Sequence, residues 1–282
     1  MSRSLAPRLL AAGAAALGVL ATVVSQSAAE QGPPPTVAET PVPADASQGA
    51  AAVPFGVGER STYEVRFGAL KVGSGSMEVV GTETIRGRET FHTVFRVRGG
   101  TFFYKVDDRF ESWFDQRTLY SLRYIQDQQE GQKDRERHYE IFPEREAYVE
   151  QPRDGKHFTE KASVKEPLDD GSFIYFIRTV PLTVGQTYEF HRYFRPDRNP
   201  VRLRVLRKER ITVPAGTFDA IVVQPSIKAK GIFGESGQAQ VWFSDDTSRV
   251  MLQLKSKLSI GSINMHLTSY RPAGSNASAG TR

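Results

Sequence analysis

The chain has 282 residues, 39% of them hydrophobic, with 37 basic and 32 acidic side chains for a formal net charge of +5 and no cysteine. The missing thiols exclude disulfides, cysteine-ligated zinc and a lipid attached through a cysteine. The charge balance is too even to point to a polyanion.

The N-terminus reads as an export signal. Arg3 and Arg8 supply positive charge, Leu9 to Val24 form an apolar stretch, and Ser27-Ala28-Ala29 fits a small-x-small cleavage site. The alternative is a membrane anchor, since the stretch approaches the ~20 residues that span a bilayer. Its alanine and glycine content favours cleavage, giving a signal peptide over 1–29. Loss of Arg3 and Arg8 leaves 35 basic against 32 acidic residues, a net charge of +3. Residues 30–52, with Pro33-Pro34-Pro35, Pro41 and Pro43, cannot bury enough apolar surface to offset ordering entropy and read as a disordered Pro/Ala-rich linker. The tail 273–282 reads the same way. A single β-rich domain over 53–272 is the expectation.

Within that domain, alternation of apolar and polar residues predicts strands. They cover Ser61–Phe67, Leu70–Val80, Thr90–Val97, Phe102–Val106, Arg109–Phe114, Leu119–Ile125 and Arg135–Phe142. Gly73 and Gly75 mark bulge or bend positions. Short links such as Arg86-Gly87-Arg88 favour antiparallel neighbours. The pattern breaks at 167–181, where Asp169 or Asp170 can cap a short helix over 171–179 and Pro181 stops it. Phe173, Ile174, Phe176 and Ile177 require that helix to pack against something, and the open face of a curved sheet is the natural partner. Strands resume over Thr187–Phe194, Val201–Val213, Phe218–Val223, Ala239–Ser244, Val250–Leu258 and Ile263–Tyr270. Pro214 and Gly216 suit a tight turn, as do Asp245 and Asp246. The expected fold is mainly β: a curved antiparallel sheet, open or a half barrel, with one short helix packed against it.

Several segments together resemble a known family. Val213-Pro-Ala-Gly-Thr-Phe-Asp219, Val241-Trp-Phe-Ser-Asp-Asp246 and Arg249 are similar to a bacterial envelope family, the domain of unknown function numbered three-one-zero-eight. Tyr63-Glu-Val-Arg-Phe-Gly68, Val72-Gly-Ser-Gly75 and Arg178-Thr-Val-Pro-Leu182 suit the same family. The resemblance implies an exported, β-dominated domain. More loosely, it is similar to half-barrel carriers of lipoproteins and lipids, an analogy of fold only. It carries no catalytic residues across.

Chemistry-bearing motifs are sparse. His92, His138, His157, His191 and His266 show no paired ligand spacing, so neither metal nor cofactor is expected. Gly73-Ser-Gly-Ser-Met77 has glycine where a hydrolase nucleophile would sit. Asp107-Asp108, Asp169-Asp170 and Asp245-Asp246 are better explained as turn and cap residues than as acid/base pairs, because neighbours on a strand face opposite ways.

Two surfaces are candidate sites. Arg202, Arg204, Lys208 and Arg210 share a face if Val201–Thr212 is one regular strand, an anion-attracting stripe for an acidic partner. The ordinary reading is a solvated face neutralised by carboxylates such as Glu136 and Glu140. Of the clustered aromatics, Trp113, Phe173, Tyr175 and Phe176 are candidate contacts for an apolar chain in the sheet's cavity. The leading expectation is a non-catalytic, soluble periplasmic protein, not a lipoprotein, that binds a lipid or acylated ligand and no nucleic acid. Rivals are an envelope scaffolding module with a protein partner and a hydrolase built from distant carboxylates.

Overall fold

Strand β1 (Arg60–Phe67) sits at the centre of the sheet although it opens the fold, because it pairs on one side with β2 (Leu70–Ile85) and on the other with the last strand, β14 (Gly261–Arg271). The structure, a computed structural model, describes residues 53–101, 104–151, 158–228, 239–258 and 261–275. The expected signal peptide, the linker and most of the tail lie outside the described residues.

From β2 the chain meanders outward. It passes through β3 (Arg88–Thr101), β4 (Tyr104–Asp115), β5 (Ser121–Glu130), β6 (Lys133–Phe142), β7 (Ala147–Gln151) and β8 (Thr159–Ala162). After α1 (Asp170–Ile177), the single α-helix among the described residues, a second meander runs back toward the centre. It uses β9 (Thr187–Phe190), β10 (Val201–Val213), β11 (Gly216–Ser226), β12 (Gln240–Ser244), β13 (Met251–Leu258) and β14. Among the described residues the result is one antiparallel sheet of fourteen strands, ordered β8-β7-β6-β5-β4-β3-β2-β1-β14-β13-β12-β11-β10-β9. The curved open sheet with one packed helix is therefore as the alternation predicts.

Several local expectations change, among them the strand predicted over Thr187–Phe194, which ends at Phe190. The predicted strands Phe102–Val106 and Arg109–Phe114 run together from Tyr104 as one strand, β4, with Phe102 and Phe103 outside the described residues, and Asp107-Asp108 sits inside it rather than at a turn. The strand tolerates the pair because Arg96 grips Asp107 with two 2.8 Å bonds on one face while Asp108 is buried on the other. Leu119 lies in a turn at φ 61° and the strand begins at Ser121. The helix ends at Ile177, and Thr179 and Val180 follow as tighter turns onto Phe176 and Ile177. Strands β7 and β8 are additions, short and polar enough to escape the alternation pattern.

The sheet does not close strand to strand. The segment after β8 spans the gap between its two edges: Ser163 N donates to Glu146 O, Ser163 Oγ to Phe194 O, and Leu168 forms a parallel bridge with Tyr193. At the other end of the fold, Ala215 N in the β10–β11 turn donates to Leu267 O at 3.0 Å, reaching β14 past β12 and β13. Pro214 opens that turn and Gly216 follows it at φ 139°.

Register identifies the inner face. Val241, Leu254, Met265 and Val65 are successive cross-strand partners, so their side chains share one face, and it is the face that α1 covers. The main core fills the space between. Phe55 meets Phe91, Phe114 and Tyr175 at centroid distances of 5.5, 6.3 and 4.8 Å, tying the entry segment and helix to the sheet. Among the described residues, no helix is long and apolar enough to cross a membrane.

Candidate functional site

Helix α1 is short and poor in strong helix formers, so it depends on its cap and on the packing of Tyr175, Phe176 and Ile177. Asp169, fully buried, accepts from the backbone N–H of Gly171 at 2.8 Å and of Ser172 at 2.9 Å, while Ser172 Oγ accepts from Asp169 N at 2.9 Å. That reciprocal pair is a capping box. Ser112 Oγ donates to the other carboxylate oxygen at 2.6 Å and pins the cap to β4. Burial pushes the Asp169 carboxyl up to about 6 against these bonds.

So placed, the helix leaves one side incompletely covered. Phe173, Ile174 and Ile177 form one wall of a groove, Val241 and Phe243 of β12 with Met251 and Leu254 of β13 form its floor, and Val201, Pro225 and Ile227 form the far wall. The cavity measures about 50 Å³, within about 570 Å³ of empty space when its open mouth is counted. A bulge at Leu252 lets Met251 and Leu254, three residues apart, point the same way. Regular alternation would have set them on opposite faces.

Polar groups gather at one end of the groove. Asp170, exposed at the mouth, accepts from Tyr193 Oη at 3.0 Å on one carboxylate oxygen and from Tyr124 Oη at 2.9 Å on the other. Gln126 Nε2 lies 3.4 Å from the second oxygen. Arg198 Nη1 donates to Tyr193 Oη at 3.2 Å. Both phenols are held well above their ordinary pKa, first by burial and then by the negative charge of Asp170. Ser226 is the remaining polar residue of the lining.

The four aromatic candidates separate. Phe173 lines the groove. Tyr175 points behind the helix into the core, against Phe55 and Phe114. Phe176 packs on Phe190 at 5.1 Å, with the Arg192 guanidinium 4.5 Å above its ring. Trp113 is on the outer face of the sheet, stacked on His92 at 4.1 Å and bonded through Nε1 to Glu83. Neighbouring Phe114 takes the inner face, so strand geometry forbids Trp113 from joining it.

The basic stripe also divides. Leu206 is a bulge: Val205 pairs with Val223, and Arg207 with Val222. Arg202 and Arg204 therefore share a face with Arg207, whereas Lys208 and Arg210 fall on the opposite one. Arg202 pairs with Glu189 at 2.9 Å, Lys208 with Asp245 at 2.7 Å and Arg210 with Asp219 at 3.5 Å. Glu136 and Glu140 serve elsewhere, Glu136 beside His138 and Glu140 beside Arg86 and Arg123.

A buried acidic pair was not legible in sequence as more than a turn. Asp108 is fully buried and accepts from Gln129 N at 3.2 Å, with its second oxygen unpartnered; Glu130, also buried, has an unpartnered Oε1. Burial, then the charge of Glu130, pushes Asp108 up to about 7. Among the described residues, no three histidines or carboxylates are grouped to hold a metal; His157 lies outside them.

No curated protein matches this sequence significantly. Solved structures that align with this chain include a beta-barrel-like protein of domain of unknown function DUF1849 from Brucella abortus, at 9% identity and TM-score 0.49, covering 78% of this chain and 99% of that one. A chain from Parabacteroides distasonis described as a lipoprotein aligns at 12% identity and TM-score 0.34, over 78% of this chain and 98% of its own. One from Bacteroides fragilis described as an exported protein with a YmcC-like fold aligns at 10% identity and TM-score 0.29, over 79% and 99%. Residues 62–268, nearly the whole described sheet, match the family model "Protein of unknown function (DUF3108)". The chain belongs to that family.

Proposed function

We propose that this protein is an exported, non-catalytic component of the cell envelope that holds an apolar or amphipathic molecule between α1 and the inner face of the sheet. The observation that carries the reading is the groove itself. Ten of its thirteen lining residues are apolar, and its three polar ones include the charged Asp170 at the mouth. The N-terminal segment supports export. An engineered apolar cavity of ~150 Å³ takes up benzene, so a partly open cavity of about 50 Å³ suits the end of a chain rather than a whole molecule.

Native mass spectrometry of the protein isolated from envelope fractions, with calorimetric titration of 1-octanol, tests this. Retained amphiphile and saturable octanol binding are expected, the latter lost in Ile174→Arg, which places a charge on the half-exposed helix wall. Absence of both a retained molecule and octanol binding in the unmodified protein would overturn it.

A further inference from the structure

We propose that the groove selects amphiphiles whose head group is a protonated amine, held at the Asp170 carboxylate; this rests on the reading that the groove takes up an apolar chain. Asp170 is the one ionisable carboxylate or cation among the lining residues, and it is exposed where the apolar walls end. Tyr124 of β5 and Tyr193 of the β9–β10 connection, both buried, each donate to one of its oxygens and so fix the direction in which the carboxylate faces. A carboxylate offers about four acceptor positions. These two phenols and the longer contact from Gln126 leave the exposed side of the group able to accept from a further donor. Arg198 donates to the Tyr193 hydroxyl rather than to the carboxylate and is not part of the lining. The groove thus presents apolar walls ending at a negative rim.

An alkyl ammonium complements both parts: its chain replaces water against Phe173, Ile174 and Leu254, and its N–H groups donate to Asp170 in a charge-assisted bond. An alkyl carboxylate of equal length meets a like charge in a partly desolvated setting, which strengthens the repulsion. An alcohol falls between.

The test is calorimetric titration of the full-length mature protein with octylammonium, 1-octanol and octanoate at one pH near neutral and one ionic strength. Octylammonium should bind about tenfold or more tightly than octanoate, the factor that one charge-assisted bond of ordinary strength supplies. Asp170→Asn, which removes the charge and keeps an acceptor oxygen for one of the two phenols, should bring the three ligands to within about twofold of one another. Equal affinities in the unmodified protein, or a preference that survives Asp170→Asn, would overturn the head-group inference and leave the groove reading standing. Failure of all three to bind would instead remove the groove reading. Should Asp170→Asn not fold, the ranking in the unmodified protein decides by itself.

Discussion

The Arg178 guanidinium grips the Glu59 carboxylate with two parallel bonds, Nη1 to Oε1 at 2.6 Å and Nη2 to Oε2 at 2.9 Å, and the two side chains are only 4% and 5% exposed. Arg178 also donates to Pro54 O and Ser248 O, and Tyr270 Oη donates to Glu59. Arg178 at the end of α1 therefore joins the entry segment to the β12–β13 turn, and through Glu59 the pair reaches Tyr270 of β14.

Removing one partner of such a pair strands a buried charge. Arg178→Met should cost about 3–5 kcal/mol in urea denaturation. The double variant with Glu59→Gln should cost clearly less than the sum of the two single changes, because neither then leaves an unpaired charge. Additive losses would mean that the two residues act through separate contacts.

The buried pair of Asp108 and Glu130 predicts a pH dependence of opposite sense to ordinary acid denaturation. Asp108 is raised to about 7 from about 4 in the unfolded chain, and burial raises Glu130 as well. Between those two values the folded state binds more protons than the unfolded one, so stability falls as pH rises from about 4 to about 7 and levels off above. Asp108→Asn should flatten that slope and raise the melting temperature at pH 8. Parallel melting curves for both proteins from pH 5 to pH 8 would contradict it.

Gly73 and Gly99 pair across β2 and β3 so closely that a Cβ on either would lie 2.3 Å from a backbone carbonyl oxygen, Arg98 O for the first and Val72 O for the second. Backbone cannot swing aside as a side chain does. Gly99→Ala should cost about 1–3 kcal/mol, whereas Gly81→Ala, with nothing within 4 Å, should lie within about 0.5 kcal/mol of the parent. Thermal melts of the two variants, side by side, are the check.

The Asp169 cap holds the helix that walls the groove. Asp169→Ala removes acceptors from Gly171 N, Ser172 N and Ser112 Oγ, two of them on buried residues, and should cost about 2–3 kcal/mol. Asp169→Asn keeps an acceptor and should lose less. The same Asp169→Ala protein should bind octanol more weakly, since the groove wall moves with the helix.

Much of this architecture was legible from the chain alone. Alternation placed most strands, because a half-buried sheet demands period two, and Asp169, Pro214, Gly216 and Asp246 announced their cap and turns through local backbone chemistry. The tertiary structure alone decided what those strands form together. Bulges at Leu206 and Leu252 each insert a residue that no periodicity reveals; one divides the basic stripe between two faces, and the other turns Met251 toward the groove. Trp113 and Phe114, Asp169 and Asp170, and Asp107 and Asp108 are neighbours in sequence with different surroundings in space. Which member faces the helix depends on long-range register, and register is set by contacts between residues as far apart as Val65 and Met265.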